Sequence, residues 1–249
     1  MSGYKAGLIG GALALLLAGP SQAAPIGVRF QEGVTRAFPV LRSVGQETLA
    51  QGDLTQIANG DRVVNRLVFR FKDGSLHDET VVYSQRGVFT LLHYRIVQRG
   101  PSFPETLEAW MDRDTGCYEV RYRPDEDSPE EFVSGQLALP DDVYNGLLSV
   151  VVKNLAGGEE TVSVVAFTPR PRVVKLKLLP LAEERSEVAG TALPVLRYHV
   201  RPQLGLMTSL LVTDVPDARI WVLPGEAPAF LRAEGPLYFL GPIWRIEPH

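Results

Sequence analysis

Between Arg62 and Lys72 the side chains alternate, with Val63, Leu67, Phe69 and Phe71 on one side of an extended chain and Arg62, Arg66, Arg70 and Lys72 on the other. A period of two does not fit a helix with one apolar face, so this segment reads as a strand that covers a core with one side and meets water with the other. Arg172 to Leu178 repeats the pattern, opposing Val174, Leu176 and Leu178 to Lys175 and Lys177. Val195 to Arg201 opposes Leu196, Tyr198 and Val200 to Arg197, His199 and Arg201. Similar runs, punctuated by Gly, Pro and Asp, recur from Glu47 almost to the end, which is the rhythm of antiparallel strands joined by turns. The expected fold class is mainly β: a strongly curved antiparallel sheet or open β-barrel with one substantial α-helix packed on its apolar face.

That helix is expected in LPDDVYNGLLSVVVKNLAGG, residues 139–158. Asp141 and Asp142 suit its first turn, Val143, Leu147, Val150 and Val151 share a stripe, Lys153 suits the last turn and Gly157 closes it. Its valines and Gly146 are poor helix formers, so packing against the sheet must hold it. Val34 to Val44 reads equally as a short helix or a strand, because Pro39 interrupts it. The proline-rich tail, Pro216 to His249, suits edge strands and turns.

The first residues read as an export signal: Lys5 supplies the positive end, Ala6 to Ala18 is an apolar run shorter than the ~20 residues a spanning helix needs, and Ser21-Gln22-Ala23 is a small-x-small cleavage site. Removing residues 1–23 leaves 24–249 as one β-rich domain, soluble in the periplasm or outside the cell. A chain of this length hides roughly 70% of its unfolded surface, so one core suffices. The formal charge of −4, which loses a further positive charge with Lys5, argues against nucleic-acid binding. Cys117 is the one cysteine; it is either buried, the preferred reading, or open to pairing between molecules. DEDSPEE, residues 125–131, reads as an exposed loop between prolines rather than a calcium site.

The stretch FRFKDGSLHDETVVYSQRGVFTLLHYRIV, Phe69 to Val97, holds two of the four histidines. A two-residue turn at Asp73-Gly74 pairs Phe71 with Leu76, Phe69 with Asp78 and Val68 with Glu79. A three-residue loop, Gln85 to Gly87, then sets Glu79 opposite His93. On this register Leu67, Phe69, Phe71, Val82, Leu92, Tyr94 and Ile96 point inward together with Asp78. His77, Glu79, His93 and Arg95 share the outer face with Arg66 and Arg70. His77, Glu79 and His93 are then the nearest approach to a zinc or iron site, but the arginines around them repel a cation and no metal or other cofactor is expected. An inward Asp78 needs a partner, which Tyr94 or Thr80 could supply. It would either anchor the polar head of a bound apolar molecule or be a satisfied core acid.

The chain contains no G-x-S-x-G, H-E-x-x-H, glycine-rich phosphate loop or C-x-x-C, so no enzyme is expected. DRDTG, residues 112–116, reads as a turn. FKDGS, QRGPSF, LPDDVYNGL and EGPLYFLGPIWRIE, in that order, resemble a group of exported bacterial β-rich proteins with no assigned activity, across nearly the whole mature chain. The layout is also similar to LolA and LolB type periplasmic carriers, open β-barrels that shelter acyl chains beneath a helical lid, although the anchoring cysteine of the LolB type is missing. Neither resemblance carries over a functional residue. The register and the helix together point to an exported, non-enzymatic binding protein for a lipid or other hydrophobic ligand, with Phe69, Asp78, Tyr94, Leu147 and Val151 as candidate binding residues; an interior filled completely by side chains is the competing reading. The alternative is a cell-envelope interaction module whose basic outer face, Arg66, Arg70, Lys72, Arg95, Arg197 and Arg201, docks on an acidic protein or an anionic membrane surface. A metal-dependent enzyme built on His77, Glu79 and His93 stands third.

Overall fold

The computed structural model describes residues 24–125, 127–155, 157–167, 170–181, 183–188, 190–203 and 217–249; the export signal expected in residues 1–23 lies outside them. The first half of the chain lays down β1 (Thr35–Ala37), β2 (Pro39–Ser43), β3 (Thr48–Asn59), β4 (Arg62–Phe71), β5 (Leu76–Ser84), β6 (Thr90–Arg99), β7 (Thr106–Asp112), β8 (Cys117–Arg123) and β9 (Glu131–Gln136). A short helix, α1 (Leu148–Asn154), separates these from β10 (Glu160–Ala166), β11 (Arg172–Pro180), β12 (Glu184–Val188), β13 (Thr191–Gln203), β14 (Ala218–Leu223), β15 (Ala229–Gly235) and β16 (Trp244–Pro248). The segment left open between helix and strand is thus β1 and β2. Pro39 is tolerated as the first residue of β2, where strands accept proline.

The strands form one antiparallel sheet in the order β10-β11-β13-β14-β15-β16-β2-β3-β4-β5-β6-β7-β8-β9, with β1 added on β3 and β12 on β13. The last strand pairs with one of the first, Ile246 opposite Leu41. The open seam therefore falls mid-chain, between β9 and β10. The sheet curls until its two halves meet: Val63, Val81, Tyr94, Ala109 and Val120 share one buried cluster with Leu178, Tyr198, Val200 and Ile220. A second cluster gathers Leu41, Ala50, Phe69, Phe71, Phe103 and Trp244, in which the Phe71 ring meets those of Phe103 and Trp244 at 5.4 and 5.5 Å.

The helix departs from expectation. It is seven residues long, not substantial, because the residues before it bind the sheet edge instead. Val143 forms a parallel bridge with Ser163, Asp142 Oδ2 accepts the Ser163 hydroxyl at 2.9 Å, and Asn145 exchanges two side-chain hydrogen bonds with the backbone of Val165, at 2.8 and 2.7 Å. Asp and Asn side chains compete in this way with helical hydrogen bonding. Residues 142–145 thus cap the free edge of β10, and Gly146, at φ +66°, turns the chain into α1. Tyr144, Leu147 and Val151 are fully buried in the first cluster, so the segment plugs the curl instead of lying across it.

The β4–β5 register is also displaced by one residue. The hairpin closes with three loop residues, Lys72-Asp73-Gly74: Gly74 N donates to Phe71 O and Phe71 N to Ser75 O, with Gly74 left-handed at φ +88°. Phe69 therefore faces His77 and Leu67 faces Glu79. Because side chains alternate, a one-residue slip moves a whole strand's set to the opposite face. The β5–β6 connection is longer than expected as well, with Ser84 opposite Thr90 and a bulge that places Tyr83 opposite Leu91 but Val82 opposite His93. Cys117 is half-buried, not buried, at the start of β8. The residues of DRDTG do form the β7–β8 turn, in which Asp112 Oδ1 accepts from Thr115 N and Oγ1.

Candidate functional site

A cavity of about 970 Å³ lies between the two clusters, within the range of small-molecule pockets. Val81, Val150 and Ile220 from the first cluster line it, as do Trp244 from the second and Leu67 and Ile246, which pack on the second. The small residues Ala229 and Ala233 of β15 widen it. Thr35, Phe38, Pro248 and His249 line it and are also exposed, so it opens beside β1 and the C-terminus.

Polar side chains also enter this lining, among them Glu32, Gln56, Glu79, Lys153, Arg219 and Glu234. Lys153, from the last turn of α1, lies 2.5 Å from Glu32, and Gln56 Nε2 donates to the backbone oxygen of Gly33 at 2.9 Å. Glu79 projects inward from β5, and its Oε1 accepts the Tyr94 hydroxyl at 2.7 Å. Burial pushes the Glu79 carboxyl above the usual carboxylate range, against the opposing effect of the Tyr94 hydrogen bond. The Tyr94 phenol is pushed up by its own burial and by the Glu79 charge. Gly146 covers this pair: a Cβ there would stand 2.4 Å from Val81 Cγ2 and 3.2 Å from Glu79 Cδ.

The residues singled out by sequence divide into three groups. Phe69, Tyr94, Leu147 and Val151 all point inward, but each is spent on packing and none lines the cavity; Leu148, Ser149 and Val150 do so from the same helix. Asp78 is a correction. It faces outward, where Arg66 Nε and Nη2 grip its two oxygens at 2.9 and 2.6 Å, and the Arg66 hydrogen bonds hold its carboxyl below the usual range. The metal constellation is also corrected, because the register separates it. His77 and Glu79 face inward while His93 lies outside, 3.8 Å from Asp112 and stacked on Trp110. Among the described residues no group of three His, Cys, Asp or Glu could hold a metal.

His77 is 3% exposed, and desolvation lowers its pKa to about 4. Gln98 Nε2 sits 3.0 Å from its Nδ1 and donates to Leu237 O at 2.7 Å. The outer face is basic but interleaved with acids: Arg66 pairs with Asp78, Arg95 with Glu108, Arg197 with Glu184 and Arg201 with Asp217. Sequence reasoning missed Glu32, Gln56, Lys153 and the alanines of β15. Glu79 was visible as a residue and placed on the wrong face.

No family model matches the sequence, and no curated protein does. Among solved structures the chain is similar to a β-barrel-like protein of a domain of unknown function, DUF1849, from Brucella abortus, at 10% identity and a TM-score of 0.48 over 87% of this chain and 96% of that one. No helix among the described residues is long and apolar enough to cross a membrane.

Proposed function

We propose that the mature protein is an exported, non-enzymatic carrier that holds one apolar small molecule in the cavity beside α1. The observation that carries this reading is the unfilled space itself: about 970 Å³ walled by Leu54, Leu67, Val81, Val150, Ile220 and Trp244 in an interior whose flanking clusters are close-packed. Support for export comes from the sequence, in Lys5, the apolar run to Ala18 and the site after Ala23.

Each buried methylene contributes about 0.8 kcal/mol, against an association cost of about 4 to 15 kcal/mol. Break-even therefore falls between about five and about nineteen carbons, and a chain of roughly a dozen lies in the middle of that range. Native mass spectrometry of gently purified mature protein is expected to show a co-purified mass that organic extraction removes, and the stripped protein is expected to take up dodecanol in a calorimetric titration. Ala233→Phe, which puts a ring into the cavity, should weaken dodecanol binding by about tenfold or more while leaving the thermal midpoint close to wild type. A stripped protein that takes up no alkyl ligand, or an Ala233→Phe variant that binds as well as wild type, would remove the basis for the reading.

A further inference from the structure

Three carboxylate side chains line the cavity among the described residues, and they are not equivalent. Glu32 is met by Lys153 at 2.5 Å. Glu234 is met by Arg245 at 2.8 Å and by Arg219 at 3.6 Å. Glu79 has no cationic partner among the described residues. Its one hydrogen bond there is the Tyr94 hydroxyl on Oε1, and the strand neighbours on either side, Leu67 and Ile96, are apolar.

Accepting that the cavity is a carrier site, we infer that its occupant is an amphiphile whose polar end donates a hydrogen bond to Glu79, a hydroxyl or ammonium head rather than a carboxylate or phosphate. Two physical arguments converge on this. A carboxylate or phosphate brought beside Glu79 would place a second negative charge where low dielectric amplifies repulsion and no counterion offsets it. A donor, by contrast, reaches the Glu79 oxygen that no described residue engages, and a hydrogen bond to an ionised acceptor is stronger than one between neutral groups. Tyr94 adds orientation: by occupying Oε1 it leaves Oε2 as the free acceptor, and Gly146, with no Cβ, closes over the carboxylate without displacing it. Selectivity for the head and affinity for the chain thus reside in different residues, Glu79 for the first and the apolar walls for the second.

The test uses three ligands of one chain length, dodecanol, dodecylamine and dodecanoate, titrated into stripped mature protein at neutral pH. The alcohol and the amine are expected to bind at least about tenfold tighter than the carboxylate. Glu79→Gln retains an oxygen for Tyr94 and removes the charge, so it should close the gap by strengthening dodecanoate binding. A preference for the amine alone identifies an ammonium head; equal binding of amine and alcohol identifies any donor. Dodecanoate binding as tightly as the amine, or a gap that persists in Glu79→Gln, would overturn the inference while leaving the carrier reading intact. Failure of all three ligands to bind would overturn both.

Discussion

His77 and Glu79 stand two residues apart on the inner face of β5, and their ionisation pulls stability in opposite directions. The folded pKa of His77 is lowered to about 4 from 6.5 by desolvation. The unfolded chain therefore takes up a proton as pH falls through 6.5 while the folded chain resists, and stability is lost across that window by about 3 kcal/mol in all. Denaturant titrations at stepped pH should show this slope, and His77→Gln should flatten it; an unchanged slope would mean that the imidazole reaches water. Glu79 is raised above the ordinary glutamate value by burial. The folded state holds its proton where the unfolded state has lost it, so the associated stability is present at low pH and disappears as pH rises through the raised value. Glu79→Gln is accordingly expected to be more stable than wild type at neutral pH and equal to it in acid, measured by thermal unfolding across pH. The identity of these residues was legible in the sequence, but their direction was not. Asp73-Gly74 fits both a two-residue turn and a three-residue loop with left-handed glycine, and the two place Glu79 on opposite faces.

At the scale of elements, the choice between those turns is made by contacts distant in sequence. Ser102 Oγ donates to Asp73 Oδ2 at 2.7 Å and Ser102 N to Ser75 Oγ at 2.8 Å, so the β6–β7 turn grips the β4–β5 turn. The strand itself gives little help, since Val81, Val82 and Tyr83 are consecutive and all buried; no alternation pins the register there. The next connection is drawn out because residues before β1 pair with it, Val28 N to Gly87 O and Phe89 N to Ile26 O. The plugging segment was half legible. Val150 and Val151 are helical and buried and the buried Leu147 is the N-cap of α1, whereas Asp142, Val143 and Asn145 serve the sheet edge. Gly146 joins the two parts with a left-handed backbone and no room for a side chain. Gly146→Ala is expected to cost about 1 to 3 kcal/mol through strain and overpacking, read as a lower urea midpoint with unchanged slope; a neutral effect would contradict the close approach of Gly146 to Val81.

At the scale of the molecule, the alternation of Arg62–Lys72, Arg172–Leu178 and Val195–Arg201 carried the mainly β, antiparallel reading, and those strands are β4, β11 and part of β13. The pairing of β16 with β2 and the mid-chain seam had no local signal, because a partner over two hundred residues away leaves no trace in a strand's own pattern. The same holds for the cavity, which depends on how small residues of β15 meet inner side chains of β3, β4 and β5 across the curl. The central claim, that this space receives an apolar ligand, is tested most directly by methyl-labelled NMR of the stripped protein with dodecanol. Nuclear Overhauser contacts from the alkyl chain to the methyls of Leu54, Leu67, Val81, Val150 and Ile220 are the predicted result. Contacts confined to exposed methyls such as those of Val44 and Val64, or no contacts at all, would contradict it.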